Sequence, residues 1–219
     1  MLSNANLRGL FVSGIDTGVG KTVASAVLRQ ALGAAYWKPV QAGDLDQSDS
    51  LQVARWTPSV NRPIHPERFR LNHPMSPHAA AARDGISIQL PDFRLPDGND
   101  FLVVEGAGGL LVPLNGQNTI LDLMQQLGLP IVLVSKHYLG SINHTLLSLE
   151  AIRRRQLVLK ALVFNGREDP ETEDVILGHA EPELVLRLPP WPEVDPHRVK
   201  HLAATWATAL GGLASTRKG

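Results

Sequence analysis

Cysteine is absent from this chain of 219 residues, which excludes disulfide bridges and thiolate chemistry without by itself fixing a compartment. Net charge is missing too. Lys plus Arg and Asp plus Glu each number 21, so no overall field draws the chain to nucleic acid or to an anionic membrane surface. Hydrophobic residues make up 43% of the sequence, yet no uninterrupted apolar run approaches the length that crosses a bilayer. Met1-Leu2-Ser3-Asn4-Ala5-Asn6 has neither the basic start nor the apolar stretch of a signal peptide, so a soluble, cytoplasmic protein is the expectation. No linker-like stretch separates two apolar halves. The chain is expected to be one domain, 1–219, long enough for a substantial core.

What is present is concentrated near the beginning. Leu10-Phe11-Val12-Ser13 reads as a buried strand, and Val23 to Leu32 reads as a helix with a continuous apolar side. Between them lies Gly14-Ile15-Asp16-Thr17-Gly18-Val19-Gly20-Lys21-Thr22. A glycine-rich loop there exposes successive backbone N–H groups at a helix start, where the helix dipole also favours an anion. Lys21 would reach the β- and γ-phosphates of a nucleotide and the Thr22 hydroxyl would face Mg²⁺. The spacing departs from the standard phosphate loop, because five residues rather than four separate Gly14 from Gly20-Lys21-Thr22.

Three further apolar runs, 101–104, 131–134 and 159–164, alternate with helical spacing near 118–127 and 141–155. Their Val, Ile and Leu content suits strands buried on both faces of a parallel sheet, giving an α/β, three-layer architecture with right-handed crossovers. Ligands then bind beyond the carboxyl ends of the strands. The stretch 57–99 holds prolines at 58, 63, 66, 74, 77, 91 and 96 and reads as short helices and loops over one end of the sheet. Arg153-Arg154-Arg155 closes a helix, where cations complement the dipole, and reads as a solvated face.

The unusual residues follow the strands. Lys38, after the second strand, would stabilise charge developing at a γ-phosphate, although the position also suits a solvated surface lysine. Asp49 begins a helix either as a first-turn carboxylate or as a group near Mg²⁺. Glu105-Gly106-Ala107-Gly108-Gly109 ends a strand in a carboxylate and a loop that admits close backbone approach, suited to a second Mg²⁺ contact. Gly140-Ser141-Ile142-Asn143 opens a helix whose N–H groups could receive a carboxylate, or else contains only an N-cap. Asn165 would offer donor and acceptor to a nucleobase edge, but Asn165-Gly166 is also a common turn pair. His65, His73 and His78 lack metal-ligand spacing. Trp56 and Trp206 read as core or interface aromatics.

The phosphate loop, Lys38-Pro39-Val40, Ser76-Pro77-His78, Glu105 to Gly109, Leu139 to His144 and Pro190-Trp191 together resemble the dethiobiotin synthetase family, in its motif order and over residues 11–192. The resemblance implies a P-loop NTPase-like fold and a homodimeric Mg²⁺- and ATP-dependent enzyme of biotin synthesis. Such an enzyme closes a ureido ring on 7,8-diaminononanoate with CO₂, through a carbamate and its phosphorylated mixed anhydride. It implies Lys21 and Lys38 around the γ-phosphate and carbamate, and Thr22, Asp49 and Glu105 around Mg²⁺. The implied ATP contacts run through Gly18, Val19, Gly20, Lys21, Thr22 and Val23, then Asp49, Glu105, Gly106, Ala107 and Gly108. They end at Asn165, Gly166, Pro190, Trp191 and Pro192 on the adenine side. Thr17, Lys38 and Ala42 would meet the diamine, and Gly140, Ser141, Ile142 and Asn143 would hold its carboxylate across the dimer interface.

Some positions depart from the family pattern: Ile15 replaces the usual threonine, Ala42 replaces a Ser or Thr, and Gly166 replaces a frequent aspartate. Ala42 removes a hydroxyl expected near the substrate. The competing class is a partition- or septum-type switch ATPase of the same sheet order. That class usually carries an additional lysine early in the loop, where this chain has Ser13, Gly14 and Ile15. A corrinoid-acid amidase would need a nucleophilic cysteine, and a pure nucleotide-binding adaptor stands on fold grounds alone.

Overall fold

The computed structural model of the chain describes residues 7–211, so the reading of Met1 to Asn6 lies outside the described residues. The strands are β1 (Gly9–Gly14), β2 (Ala35–Trp37), β3 (Val40–Ala42), β4 (Ile64–His65), β5 (Phe69–Leu71), β6 (Leu102–Gly109), β7 (Ile131–Lys136), β8 (Leu159–Asn165) and β9 (Leu184–Leu188). The helices are α1 (Lys21–Leu32), α2 (Asp49–Trp56), α3 (Pro77–Asp84), α4 (Ile120–Leu127), α5 (Ser141–Arg154), α6 (Pro170–His179) and α7 (Pro196–Ala209).

Seven strands pair in the order β4-β2-β6-β1-β7-β8-β9, all parallel, as the α/β reading expects. Every residue of β1 is buried, and Val103, Val104, Val132, Leu133, Val134, Leu162 and Val163 are wholly excluded from solvent. This is why their segments read as unbroken apolar runs rather than alternating ones. The chain leaves β1 through α1 to β2, and β6 later fills the slot between them; β6 then leads through α4 to β7 on the other side of β1. Connections therefore diverge to both sides of β1, which opens a crevice beyond its carboxyl end.

The stretch 57–99 holds more than helices and loops. Ile64 and His65 pair with Tyr36 and Trp37 to form one edge of the main sheet, while β5 pairs with β3 in a separate two-stranded sheet. β9 forms the other edge, with Leu186 and Leu188 buried and Val185 exposed. Trp206 is buried, and its Nε1–H donates to the Arg187 carbonyl at 3.2 Å. Arg153 bonds Glu150 and the His179 carbonyl, and Arg155 pairs with Asp122, so these cations serve the surface as expected. Among the described residues no helix is long and apolar enough to cross a membrane.

Candidate active site

The loop after β1 turns tightly back on itself. A Cβ on Gly14 would lie 2.5 Å from Val19 Cγ2, so only glycine admits the approach. Gly20 caps α1 at φ 98°, a left-handed conformation that L side chains rarely adopt. Lys21, the first residue of α1, arches over the loop and donates from Nζ to the Asp16 carbonyl at 2.9 Å. Burial lowers its pKa to about 8, with Glu105 pulling upward and Lys38 downward.

Beside this loop four side chains converge from four elements. Thr22 Oγ1, on α1, lies 2.9 Å from Asp49 Oδ1 on α2 and 2.9 Å from Glu105 Oε1 on β6. Lys38, directly after β2, pairs with Asp49 Oδ2 and lies 3.2 Å from Glu105 Oε1. Burial works against the Lys38 ammonium, but Glu105 and Asp49 outweigh it and hold its pKa above the ordinary lysine value. Burial likewise opposes the Asp49 carboxylate, while Lys38 and Thr22 prevail and lower its pKa. Lys38 is thus a buried, permanently charged cation at neutral pH rather than a solvated surface lysine.

Asp49 unites the two roles open to it in the sequence. It is the first residue of α2, whose N-cap Ser48 accepts from the Leu51 N–H at 3.4 Å, and its carboxylate meets Thr22 and Lys38. Gln41 steadies that helix start: its Oε1 accepts the Asp49 N–H at 3.3 Å and its Nε2 donates to the Gly43 carbonyl at 3.0 Å.

These groups line one cleft of about 660 Å³, which gathers Thr17, Gly18, Gly20, Lys21, Thr22, Val23, Lys38, Ala42, Asp49, Glu105, Ala107 and Gly108. Val19 is buried beneath it, and Gly106 packs where a Cβ would meet Phe11 Cε1 at 3.0 Å. Asn165 and Gly166 line a neighbouring cleft with Lys136 and His137, and Pro190, Trp191 and Pro192 follow β9. Gly140, Ser141, Ile142 and Asn143 form the start of α5 and do not line the 660 Å³ cleft of their own chain. Trp56 packs partly against the core and also lines the cleft, as do Gln41 and Gln52. Sequence reasoning assigned Trp56 to the core or an interface and overlooked the two glutamines. Gln52 and Trp56 follow Asp49 by three and seven positions on α2, a spacing that sets all three on one helical face.

The donor set suits a hard cation. Asp49 Oδ1, Glu105 Oε1 and Thr22 Oγ1 are oxygen atoms, two of them anionic, meeting at 2.9 Å across Thr22. Among the described residues no group of three or more His, Cys, Asp or Glu could cage an ion alone. Such a sparse set fits Mg²⁺, which keeps several waters and takes phosphate oxygens as its remaining ligands.

Comparison with known proteins places the chain among relatives. A family model described as an AAA domain matches residues 8–198. A protein named ATP-dependent dethiobiotin synthetase from Christiangramia forsetii is 46% identical over 203 residues, covering 93% of this chain and 98% of its own. Its namesake from Brucella ovis is 45% identical over 192 residues, covering 88% of this chain and 91% of its own. Among solved structures, a ParA family ATPase from Chlorobium tepidum superposes with a TM-score of 0.56 at 13% identity, over 95% of this chain and all of that one. That likeness shows the fold alone. The identity across nearly the whole length shows more: the chain belongs to the ATP-dependent dethiobiotin synthetase family.

Proposed function

We propose that the chain, acting as one domain over 1–219 and as a cytoplasmic homodimer, joins 7,8-diaminononanoate and CO₂ at the expense of ATP to give dethiobiotin, ADP and phosphate. The observation that carries this reading is the meeting of Lys38, Asp49, Glu105 and Thr22 beside the phosphate loop. One substrate amine adds to CO₂ and loses a proton, giving a carbamate. A carbamate oxygen attacks the γ-phosphorus and ADP leaves; the second amine then attacks the carbonyl carbon, expels phosphate and loses a proton as the ring closes.

This chemistry asks the protein for alignment and charge neutralisation rather than a nucleophile. The loop N–H groups and Lys21 hold the phosphates, and Lys38, fixed between two carboxylates, presents positive charge where the transferred group gains negative charge. Thr22, Asp49 and Glu105 would hold Mg²⁺, which when bound neutralises phosphate charge. Thr17 and Ala42 border the diamine's side of the cleft, Ala42 without the hydroxyl usual there. Gly140, Ser141, Ile142 and Asn143 take the substrate carboxylate from the other subunit. The adenine rests by Asn165, Gly166 and the Pro190-Trp191-Pro192 segment.

Incubation with the diamine, bicarbonate and Mg-ATP should release dethiobiotin, identified by mass, in step with ADP. ADP release without that product would overturn the reading and favour a switch ATPase. Asp49→Asn and Glu105→Gln should each raise the Mg²⁺ concentration for half activity; an unchanged requirement in both would remove the metal assignment.

A further inference from the structure

Glu105 is hydrogen-bonded on both of its oxygens, and two of its three partners, Tyr36 and Lys38, come from one strand end while Thr22 comes from α1. Tyr36 pairs with Val103 and Trp37 with Val104 in the parallel register of β2 and β6. Side chains two apart share a face of a strand, so Glu105 lies on the side of Tyr36, and Lys38 returns to that side just beyond β2. Trp37 points the other way and donates its Nε1–H to the Pro66 carbonyl at 3.1 Å. The result is a carboxylate held from both ends: Tyr36 Oη donates to Oε2 at 2.9 Å, while Oε1 meets Lys38 at 3.2 Å and Thr22 at 2.9 Å.

The phenol is wholly buried, and a Phe would fill the same carbon volume. A buried tyrosine hydroxyl needs a partner, and here that partner is a site carboxylate. An ionised carboxylate only accepts, so the phenol must donate.

We propose that Tyr36 is the positioning residue of Glu105, locking the carboxylate's rotation so that Oε1 faces Thr22 and the cation-binding side of the cleft. The inference rests on the reading of Glu105 as a Mg²⁺-facing group. Without the phenol, Oε2 is a buried anionic oxygen with no protein donor, and the carboxylate turns or draws in water. Hydrogen-bond partners of metal-facing groups typically account for roughly 10–100-fold in metal affinity.

The test measures binding, apart from turnover. A non-hydrolysable ATP analogue is titrated calorimetrically into the full-length chain, once with Mg²⁺ and once with EDTA, and the ratio of affinities gives the metal-dependent gain. Y36F should bind as wild type does in EDTA and lose roughly tenfold of the gain; E105Q should lose the gain as well, and Y36F added to E105Q should change nothing further. A wild-type gain in Y36F alongside a reduced gain in E105Q overturns the role of Tyr36 alone. An undiminished gain in E105Q overturns the reading of Glu105 and the inference built on it. Equal weakening of Y36F with Mg²⁺ and with EDTA assigns Tyr36 to general packing and likewise overturns the proposal. Melting curves check that each variant folds. If Y36F does not, Tyr36→Met, whose flexible chain fills irregular space, replaces it in the same comparison, and failure of both to fold assigns Tyr36 to the core and overturns the positioning role.

Discussion

Asn165 Nδ2 donates to the carbonyl oxygen of Val19 at 2.7 Å, joining the end of β8 to the phosphate loop across 146 positions of sequence. The amide expected to read a nucleobase thus commits one of its two N–H donors to the loop, keeping the other N–H and the Oδ1 acceptor for a base edge. Gly20 lies directly against this contact: a Cβ there would fall 2.4 Å from Asn165 Nδ2, at a backbone φ of +98°.

Asn165→Ala removes the tie and is expected to weaken ATP binding about fivefold, the worth of one neutral hydrogen bond. Gly20→Ala both strains the backbone and displaces Asn165, so its loss should be larger. Placing the second substitution on the first tests the link, because two changes that break one contact fall short of additivity. Full additivity in ATP affinity, read by calorimetry, would separate the two residues.

Lys38 and Lys21 should differ in what their removal does. Lys38 pairs with Glu105, which is wholly buried, so Lys38→Ala leaves an unpaired carboxylate and is expected to lower stability by about 3 kcal/mol. Lys21 bonds only a backbone carbonyl, and Lys21→Ala should cost little stability. Each should lower turnover by about 10²–10³, the usual effect of losing one preorganised charge. Denaturant melts beside turnover measurements check both, and wild-type turnover in folded Lys38→Ala protein would remove its assigned role.

Burial of Lys21 also sets a pH dependence. Its folded pKa of about 8 lies below the ordinary 10.5, with burial the main cause. Between those values the unfolded chain binds more protons, so stability rises with pH across that window. Measured without nucleotide and relative to Lys21→Met, the wild type should gain up to about 3 kcal/mol from pH 7.5 to 10.5. Over the same window its ATP affinity should fall as the ammonium is lost, and the variant's should not. Parallel stability profiles would mean that Lys21 is not desolvated.

The central strands were legible because burial on both faces writes itself as unbroken apolar runs, as at 131–134 and 161–164. Edge strands leave no such trace. Ile64 and His65 form a two-residue edge strand between prolines, and β9 buries Leu186 and Leu188 but exposes Val185 and Arg187. The loop and its lysine were legible because the chemistry lies in consecutive residues. Tyr36 was not, since a tyrosine in a strand reads as core until the register sets it beside Glu105. Asp49 could not be resolved into cap or site carboxylate because only tertiary packing brings α2 to Thr22.

The start of α5 should receive the substrate carboxylate from the neighbouring subunit. Gly140 caps the helix at φ 101°, is exposed, and has no neighbour within reach of an added Cβ. At the helix start the Ser141 N–H is taken by the Tyr138 carbonyl at 2.9 Å, so the Ile142 and Asn143 N–H groups are the donors set beside the positive dipole end, and they lie outside their own chain's 660 Å³ cleft. If the proposed shared site holds, a substrate whose amines sit by Lys38 reaches this turn on another copy. Gly140→Pro, which forces φ to about −65°, should weaken diamine binding about tenfold or more while leaving ATP binding unchanged, because only the diamine uses the turn. A diamine analogue lacking the carboxylate should lose affinity for the wild type but lose little more in the variant, as expected when two changes remove one interaction. Mixing Gly140→Pro chains with Lys38→Ala chains adds a sharper readout. If each site draws on both subunits, the mixed dimer pairs one intact turn with one intact lysine at a single site and regains up to half the wild-type activity per dimer. Absence of that rescue in a verified mixed dimer, or full activity from a monomer, would exclude the shared site.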